Sequence, residues 1–554
     1  MPGGEHARGA APAGEAVPSG GSGNGGGPAA TVRDATLEVL RRLGLTTIFS
    51  NPGSTEVSFL TGLPDDFEFV LGLHEGSVVG MASGYAIGRG EPAFALLHTT
   101  AGLGNAVSAL ATARVNRAPL VVMVGQQDRR HLAFEPFLAG RLDGLAGEYP
   151  VWFDQPVRPQ DVPGTLVRAH HEAVTGRGPA LVVVPQDDWL AAAPEPHEVF
   201  GPRRVIHARA ADREAVDELA AFLEEAERPA IVSGAGADTP EGWEAVVALA
   251  ERLSSPVFQE AFGARAAFPH DHPLFAGYLP HSRGRLREAL AGHDAVLVVG
   301  APILRQYAYE PGPLVNPGTR LALVTDDAAE AHRSPSEVTV LADPAAVCRE
   351  LATRIDDRPA STQPLFERPP APEPASPLTG SHVLAALAER LPPEAIVIEE
   401  SPTSRPDLNA RLVVRQSLGL LSAAMGGLGF AMPAAVGLRM ALPERPVLAV
   451  IGDGSSLYAI QALWSAARYR VGALFIVMAN GRYAIMDHLA QINTGRPGPW
   501  PDFEGIDIAA MARALGCPAA RIETHDELVG QLDDVIPTLA KRDQPLLLEI
   551  AVAP

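Results

Sequence analysis

The residues best suited to chemistry are Asp453 and Asn480, because each closes an apolar run. Val447 to Ile451 leads into Gly452-Asp453-Gly454-Ser455-Ser456, and Ala473 to Met478 leads into Ala479-Asn480-Gly481-Arg482. A carboxylate and a carboxamide oxygen at two strand ends, beside glycines that let a ligand reach the backbone, are what a magnesium diphosphate site requires. Magnesium prefers an octahedron of oxygens and takes part of it from phosphate, so Asp453, Asn480 and the carbonyl of Arg482 suffice as protein ligands. A helix expected from about Leu457 would turn its positive end toward the same place. Alone, Gly-Asp-Gly also reads as an ordinary strand-ending turn; Asn480 at the end of the next strand weighs against that.

Three further side chains stand where a site would need them. Glu75 begins an apolar helix, where a buried carboxylate is costly without a partner, although the helix dipole favours a glutamate there anyway. His98 ends the strand Ala93 to Leu97, at the edge where α/β sheets hold ligands, and an imidazole can pass protons near neutral pH. A lone strand-end histidine is more often structural. Ser54 lies in Asn51-Pro52-Gly53-Ser54, which is strong turn chemistry in its own right.

The elements that must carry these residues repeat. Helical stretches Val32 to Leu43, Gly76 to Gly88 and Leu103 to Val115 alternate with strands Thr46 to Ser50, Ala93 to Leu97 and Leu120 to Val124. That alternation predicts parallel sheets covered by helices on both faces. A second cycle starts near Ala211 and fades after Val340; its turn Gly234-Ala235-Gly236 resembles a dinucleotide turn but lacks the third glycine, which favours a structural role. A third cycle runs from Gly380, with strands at Ala395 to Ile398, Val447 to Ile451, Ala473 to Val477 and Leu546 to Ile550.

The expected fold is therefore α/β: three consecutive doubly wound parallel-sheet domains at 31–205, 206–355 and 378–554. They follow a disordered Gly/Ala/Pro-rich tail at 1–30, and a Pro-rich linker at 356–377 precedes the last. Gly-Leu-Gly turns at Gly102 to Gly104 and Gly427 to Gly429 hint that the first and third domains are related.

Composition bounds the function. A chain of 554 residues is too long for one core, and a formal charge of -21 disfavours nucleic acid and anionic membranes. The two cysteines lack metal or redox spacing, and no apolar stretch is long enough to span a bilayer, so a cytoplasmic protein is expected.

The segment from Gly452 to Asn480 resembles the thiamine-diphosphate motif, with Ala479-Asn480 where an asparagine pair usually stands. Asn51 to Ser54, Leu73 to Gly80, His98 with Ala101 to Asn105, Gly125 to Gln127, Val184 to Trp189 and Gly426 to Phe430 extend the resemblance. It covers nearly everything after the tail and points to the thiamine-diphosphate-dependent 2-oxo acid decarboxylases, closest to the benzoylformate decarboxylase branch. The resemblance implies pyrimidine-binding, central and diphosphate-binding domains. It also implies cofactor contacts at Glu75, Gly426, Leu428, Gly452, Asp453, Gly454, Ser455, Asn480, Arg482 and Tyr483, with magnesium on Asp453, Asn480 and Arg482.

By the same resemblance Glu75 activates the aminopyrimidine, Leu428 is a wedge that bends the cofactor, and His98, Ser54 and Tyr307 face the reacting carbon. Tyr307 stands where that branch carries a second histidine, and a phenol is a poor proton shuttle at neutral pH. Ser422 and Leu489 replace aromatic pocket residues, while Phe137, Leu138, Ile485 and Met486 would keep the wall apolar, with Asp487 and His488 close by. The implied reaction is non-oxidative decarboxylation of a small 2-oxo acid to an aldehyde, in a homodimer at minimum and a homotetramer by expectation. The rival is a carboligase, acyloin-forming or acetolactate-synthase-like, that uses an aldehyde or second 2-oxo acid as acceptor. A degenerate cofactor-binding protein is disfavoured by Glu75, Asp453 and Asn480 standing together.

Overall fold

The computed structural model describes residues 30–202, 204–206, 208, 210–359 and 364–553; the tail expected at 1–30 lies almost wholly outside them. β-Branched and aliphatic runs bounded by turn residues form three sheets of six parallel strands each.

The first sheet contains Thr47–Asn51 (β1), Glu68–Leu71 (β2), Ala93–His98 (β3), Leu120–Gln126 (β4), Trp152–Asp154 (β5) and Pro179–Pro185 (β6), in the order β2-β1-β3-β4-β6-β5. The second contains Pro229–Ser233 (β7), Val257–Gln259 (β8), Phe275–Tyr278 (β9), Ala295–Val299 (β10), Arg320–Thr325 (β11) and Val338–Leu341 (β12), in the order β12-β11-β10-β7-β8-β9. The third contains Ile396–Glu400 (β13), Leu420–Ser422 (β14), Val447–Gly452 (β15), Leu474–Ala479 (β16), Ala519–Ile522 (β17) and Leu546–Ala551 (β18), in the order β14-β13-β15-β16-β18-β17.

Renumbered from their own first strands, the first and third sheets have the same order, which strengthens the kinship hinted at by the two Gly-Leu-Gly turns. Ligands of such sheets bind where the strand order reverses, beyond the carboxyl ends of the central strands. In the first sheet that place lies between β1 and β3, which end in Asn51 and His98; in the third it lies between β13 and β15, which end in Glu400 and Gly452.

One continuous apolar cluster joins the first and third sheets through the helices Glu75–Arg89 and Ala431–Ala441. Small residues let their backbones approach: a Cβ on Gly84 would lie 2.2 Å from the carbonyl oxygen of Ala434, and one on Gly437 would lie 1.9 Å from that of Met81. The helices therefore cannot separate or slide without breaking the main hydrophobic contact between the two units.

The central sheet has the strand order of dinucleotide-binding folds, yet the crevice at its reversal is filled. A Cβ on Gly236 would lie 2.8 Å from the Cα of Gly300 and 3.2 Å from an Arg117 guanidinium nitrogen. That guanidinium, brought from the first unit, pairs with Asp326 at 2.9 Å and Glu330 at 2.8 Å. The turn Gly234-Ala235-Gly236 thus serves close packing, the reading favoured from its sequence. The described residues between Arg354 and Gly380 form no helix or strand, and Arg368 straps them to the fold by donating to the carbonyls of His270 and Ala410. No helix among the described residues is long and apolar enough to cross a membrane.

Candidate active site

At the reversal of the first sheet, Glu75 is the first residue of its helix and is 7% exposed. Its two carboxylate oxygens each accept one bond, from Asn51 Nδ2 and Asn105 Nδ2, both at 3.0 Å. The buried carboxylate thus has the partners its sequence position demanded, and two amides fix its orientation from two different elements. His98 Nδ1 lies 3.0 Å from Glu56 Oε2 and 3.0 Å from Thr55 Oγ1.

Glu56 is only 1% exposed and also accepts from the Gly53 backbone at 2.7 Å, so the carboxylate is the fixed acceptor of the group. With Nδ1 donating to it, the other imidazole nitrogen is left to exchange a proton. The glycines around the pair are spaces for these side chains: a Cβ on Gly53 would lie 2.4 Å from the His98 ring, and one on Gly125 would lie 1.7 Å from Glu56 Oε1. Ser54 is exposed, at the start of the one-turn helix Ser54–Glu56.

At the reversal of the third sheet, Asp453 is buried and accepts from the backbone of Gly454 and of Gly481, each at 2.7 Å. Burial pushes its carboxyl above the ordinary value, against the pull of those N-H groups. The Gly481 bond ties the end of β15 to the loop after β16, so Asp453 and Asn480 share one corner. Asn480 Oδ1 accepts from the Arg482 backbone at 3.1 Å, and a cavity of about 250 Å³ adjoins Asp453, Ala479 and Gly481.

Gly481 has φ +71°, and its missing Cβ would meet nothing within 4 Å, while its N-H donates to Asp453 and its carbonyl accepts from the Phe503 N-H at 2.7 Å. The opposite wall is closed, since a Cβ on Gly454 would lie 2.8 Å from the Tyr483 ring, which stacks edge-on against Phe503. Burial, then the neighbouring Tyr458, hold the Tyr483 phenol above its ordinary value.

The helix expected from Leu457 is not there. It begins at Asp453 and ends at Ser456, and the next helix is Ala462–Arg468. The Ser456 hydroxyl donates to the Asp453 carbonyl at 2.6 Å, and Tyr458 and Ala459 then make short-range bonds to Ser455 and Ser456, so the chain tightens instead of continuing as α-helix. Ser455, 7% exposed, lies in that first turn beside Gly452.

The turn Met425-Gly426-Gly427-Leu428 is held by a residue that sequence reasoning passed over. Glu400, at the end of β13 and 4% exposed, accepts from Gly429, Phe430 and Ala431 N-H at 2.7, 2.8 and 2.6 Å. It caps the helix Ala431–Ala441 and fixes the half-buried Leu428 just before it. Burial pushes the Glu400 carboxyl up to about 7, although three backbone donors pull the other way. Gly426 at φ +71° and Gly429 at φ +91° supply the left-handed backbone the turn needs.

Glu56 and Glu400 were both legible as glutamates beside apolar runs, but nothing in their spacing separated them from surface residues. Arg482 directs its side chain outward to Asp502, leaving only its backbone for the corner. The expected pocket wall is not assembled within one chain. Phe137 is 88% exposed, Met486 is exposed, and the helix Ala484–Thr494 that bears Ile485, His488 and Leu489 has no buried residue.

Ser422 faces the central unit, with its N-H and hydroxyl bonded to the carbonyls of Ala264 and Gly263, because β14 pairs there with the loop after β8. Asp487 is engaged by the Trp500 indole at 2.8 Å. Tyr307 is 65% exposed.

The donor set suits thiamine diphosphate with magnesium. One carboxylate, one carboxamide and nearby carbonyls are hard oxygen ligands, and no group of three or more His, Cys, Asp or Glu among the described residues offers a competing metal site. The cavity of about 250 Å³ beside Asp453, Ala479 and Gly481 leaves room next to that donor set.

The chain matches the thiamine pyrophosphate enzyme N-terminal TPP binding domain over 30–146, the central domain over 216–351 and the C-terminal TPP binding domain over 410–550. It is 39% identical over 529 residues to a benzoylformate decarboxylase of Pseudomonas aeruginosa, covering 94% of this chain and 98% of the relative. The solved 4-hydroxybenzoylformate decarboxylase of Rhodococcus jostii RHA1 superposes with a TM-score of 0.90 at 36% identity, covering 95% of this chain and 99% of that one. A benzoylformate decarboxylase from Polynucleobacter necessarius does so with 0.89 at 33%, covering 94% and 98%.

Proposed function

The chain belongs to the thiamine pyrophosphate enzymes, and on that premise we propose that it decarboxylates an aromatic 2-oxo acid to the aldehyde and carbon dioxide. The observation that carries this reading is the pairing of a buried, amide-clamped Glu75 with an imidazole backed by Glu56, both at one sheet reversal. When bound, thiamine diphosphate supplies the electron sink for loss of carbon dioxide. Asp453, Asn480 and the Arg482 carbonyl would hold its magnesium, with Gly452, Gly454 and Ser455 along the phosphates and Tyr483 and Gly426 beside them. Leu428, fixed through the Glu400 clamp, would pack against the cofactor and help hold it in place.

Glu75 would hold the aminopyrimidine and supply or take a proton there, and Asn51 and Asn105 keep its carboxylate aimed. His98 transfers protons at the substrate, with Glu56 holding its Nδ1 proton and so presenting Nε2. Ser54 and Tyr307 would stand at the substrate side, as the family resemblance implies.

The two half-sites belong to different subunits in this reading. Asn105 clamps Glu75, whereas Thr112, two turns later on the same helix, meets the turn at Gly427, and Asn116 bonds Ser422 and Ala424. Asn105 and Thr112 are roughly 10 Å apart along that helix, so the clamp and the wedge turn meet it at different levels. The exposed Phe137, Met425 and Tyr458 fit burial against a second copy. The assembly is a homodimer at least, and a tetramer is expected; a fully active monomer by light scattering would refute it. The buried free thiols of Cys348 and Cys517 fit a reducing cytoplasm.

The test is incubation with thiamine diphosphate, magnesium and a panel of aliphatic and aromatic 2-oxo acids, benzoylformate first, with and without acceptor aldehydes. Aldehyde from an aromatic acid supports the proposal; hydroxyketone as the main product turns it toward a carboligase. For Glu75, the Glu75→Gln variant should lose exchange of the cofactor C2 proton for deuterium, and unchanged exchange removes the assignment.

A further inference from the structure

We propose that His281, and not Tyr307, is the second proton-transferring group of this site. The inference rests on the decarboxylase reading above and concerns the face of the site built by the central unit.

That face is the loop after β10, and its position is set by Arg305. The guanidinium pairs with Glu260 at 2.9 Å, donates to the Phe262 carbonyl at 2.9 Å and reaches the Ala424 carbonyl at 3.4 Å. Ala424 directly precedes the Met425 to Leu428 turn, so Gln306 and Tyr307 are carried to the wedge side of the site. His281 comes from a different segment, between β9 and the helix Arg283–Ala289, and it arrives at the same spot. The Tyr307 N-H donates to the His281 carbonyl at 3.2 Å. The imidazole sits edge-on to the Tyr307 ring at 6.2 Å between centroids and tilted against Phe262 at 5.6 Å.

The two segments are laced together. Arg283 donates to Gln306 Oε1 at 2.9 Å and to the Gly312 carbonyl at 2.7 Å, while Gly284 N-H donates to Glu310 at 2.8 Å. His281 is therefore an exposed ring on a braced loop, held between two aromatic rings.

Proton transfer at neutral pH needs a group that is populated in both states there. A phenol ordinarily ionises near pH 10 and an imidazole near 6.5, so of the two rings on this face only the imidazole qualifies. The charged neighbours are each engaged by other partners. Glu260 and Arg305 are paired with each other, Arg283 is spent on Gln306 and Gly312 and stacks on Tyr309, and Glu310 is occupied by the Gly284 backbone. His98 enters from the first unit and His281 from the central one, which gives the reaction one titratable ring from each.

The experiment compares pH profiles of kcat for the wild-type holoenzyme, His281→Ala and the double variant His281→Ala/Tyr307→His, with benzoylformate or the best acid of the panel. His281→Ala should lower kcat at least tenfold at pH 7 and change the shape of the profile, while thiamine diphosphate affinity, read by fluorescence quenching, moves less than about threefold. The double variant should recover part of the loss, because it returns an imidazole one ring away. In wild type, the 2-oxo acid should protect His281 from carbethoxylation by diethyl pyrocarbonate, read by peptide mass spectrometry. An active wild type whose profile is unchanged by His281→Ala, or whose His281 is modified equally with and without the acid, overturns the proposal. A wild type inactive on every 2-oxo acid refutes the decarboxylase reading itself, and shows it before any variant is made.

Discussion

Replacing Glu400 with glutamine separates the two things this residue does: it accepts bonds from the turn that carries Leu428, and it keeps an ionisable carboxyl out of water. The first effect is independent of pH. A glutamine offers one acceptor oxygen to three N-H groups at 2.6 to 2.8 Å and turns an amide N-H toward the rest, a mismatch of about 1–3 kcal/mol.

The second effect depends on pH, and its sign follows from the raised value. Folding moves the carboxyl from an ordinary 4.5 to about 7. Below 4.5 both folded and unfolded wild type hold the proton. Between the two values only the folded state holds it, so wild-type stability falls as pH rises toward about 7, by roughly 3 kcal/mol in all.

Glutamine has no such term. Relative to wild type, Glu400→Gln should therefore be worse by the constant mismatch near pH 4.5 and should gain roughly 3 kcal/mol on it by pH 8. Urea midpoints of both proteins at pH 5 and pH 8, converted through the slope of each transition, give the measurement. A stability difference that is the same at both pH values to within about 1 kcal/mol refutes the placement of an ionisable carboxyl under that turn.

Four further outcomes are expected. Glu56→Gln should leave folding intact but lower kcat by about tenfold or more, because an amide oxygen can replace Oε2 toward His98 Nδ1-H and the Gly53 N-H but, being neutral, cannot offset the charge an imidazole gains on taking a proton; an unchanged rate would show that His98 needs no carboxylate beside it. Asp453→Asn should weaken the apparent magnesium affinity by more than the 10- to 100-fold typical of an outer-shell partner, and normal activation by magnesium would remove Asp453 from the metal. Gly84→Ala should destabilise by about 1–3 kcal/mol, since its Cβ meets the Ala434 carbonyl. Gly530→Ala, in the helix His525–Val535 with nothing within 4 Å of the new methyl, should stabilise by up to about 1 kcal/mol. Thermal denaturation of the pair checks both signs.

The sequence by itself determined the parts whose physics is local. Apolar runs of strand length between helical stretches dictated parallel α/β units, and the ends of those runs marked Asp453, Asn480 and His98 as candidates for the site. Glu75 was legible because a carboxylate opening an apolar helix must find partners. The onset of the helix after Asp453 was misread, because the Ser456 hydroxyl's competition for a carbonyl leaves no periodic signal.

What only the tertiary structure decided was which distant residues meet. Glu56 under His98, Glu400 under the Leu428 turn, Asn105 on Glu75 and His281 against Tyr307 are each joined by strand order and loop packing across long stretches of chain. The physical reason is that hydrogen bonds and ring contacts depend on position to within about an ångström. Hydrophobic periodicity fixes only the face a side chain occupies, and not the partner it finds there.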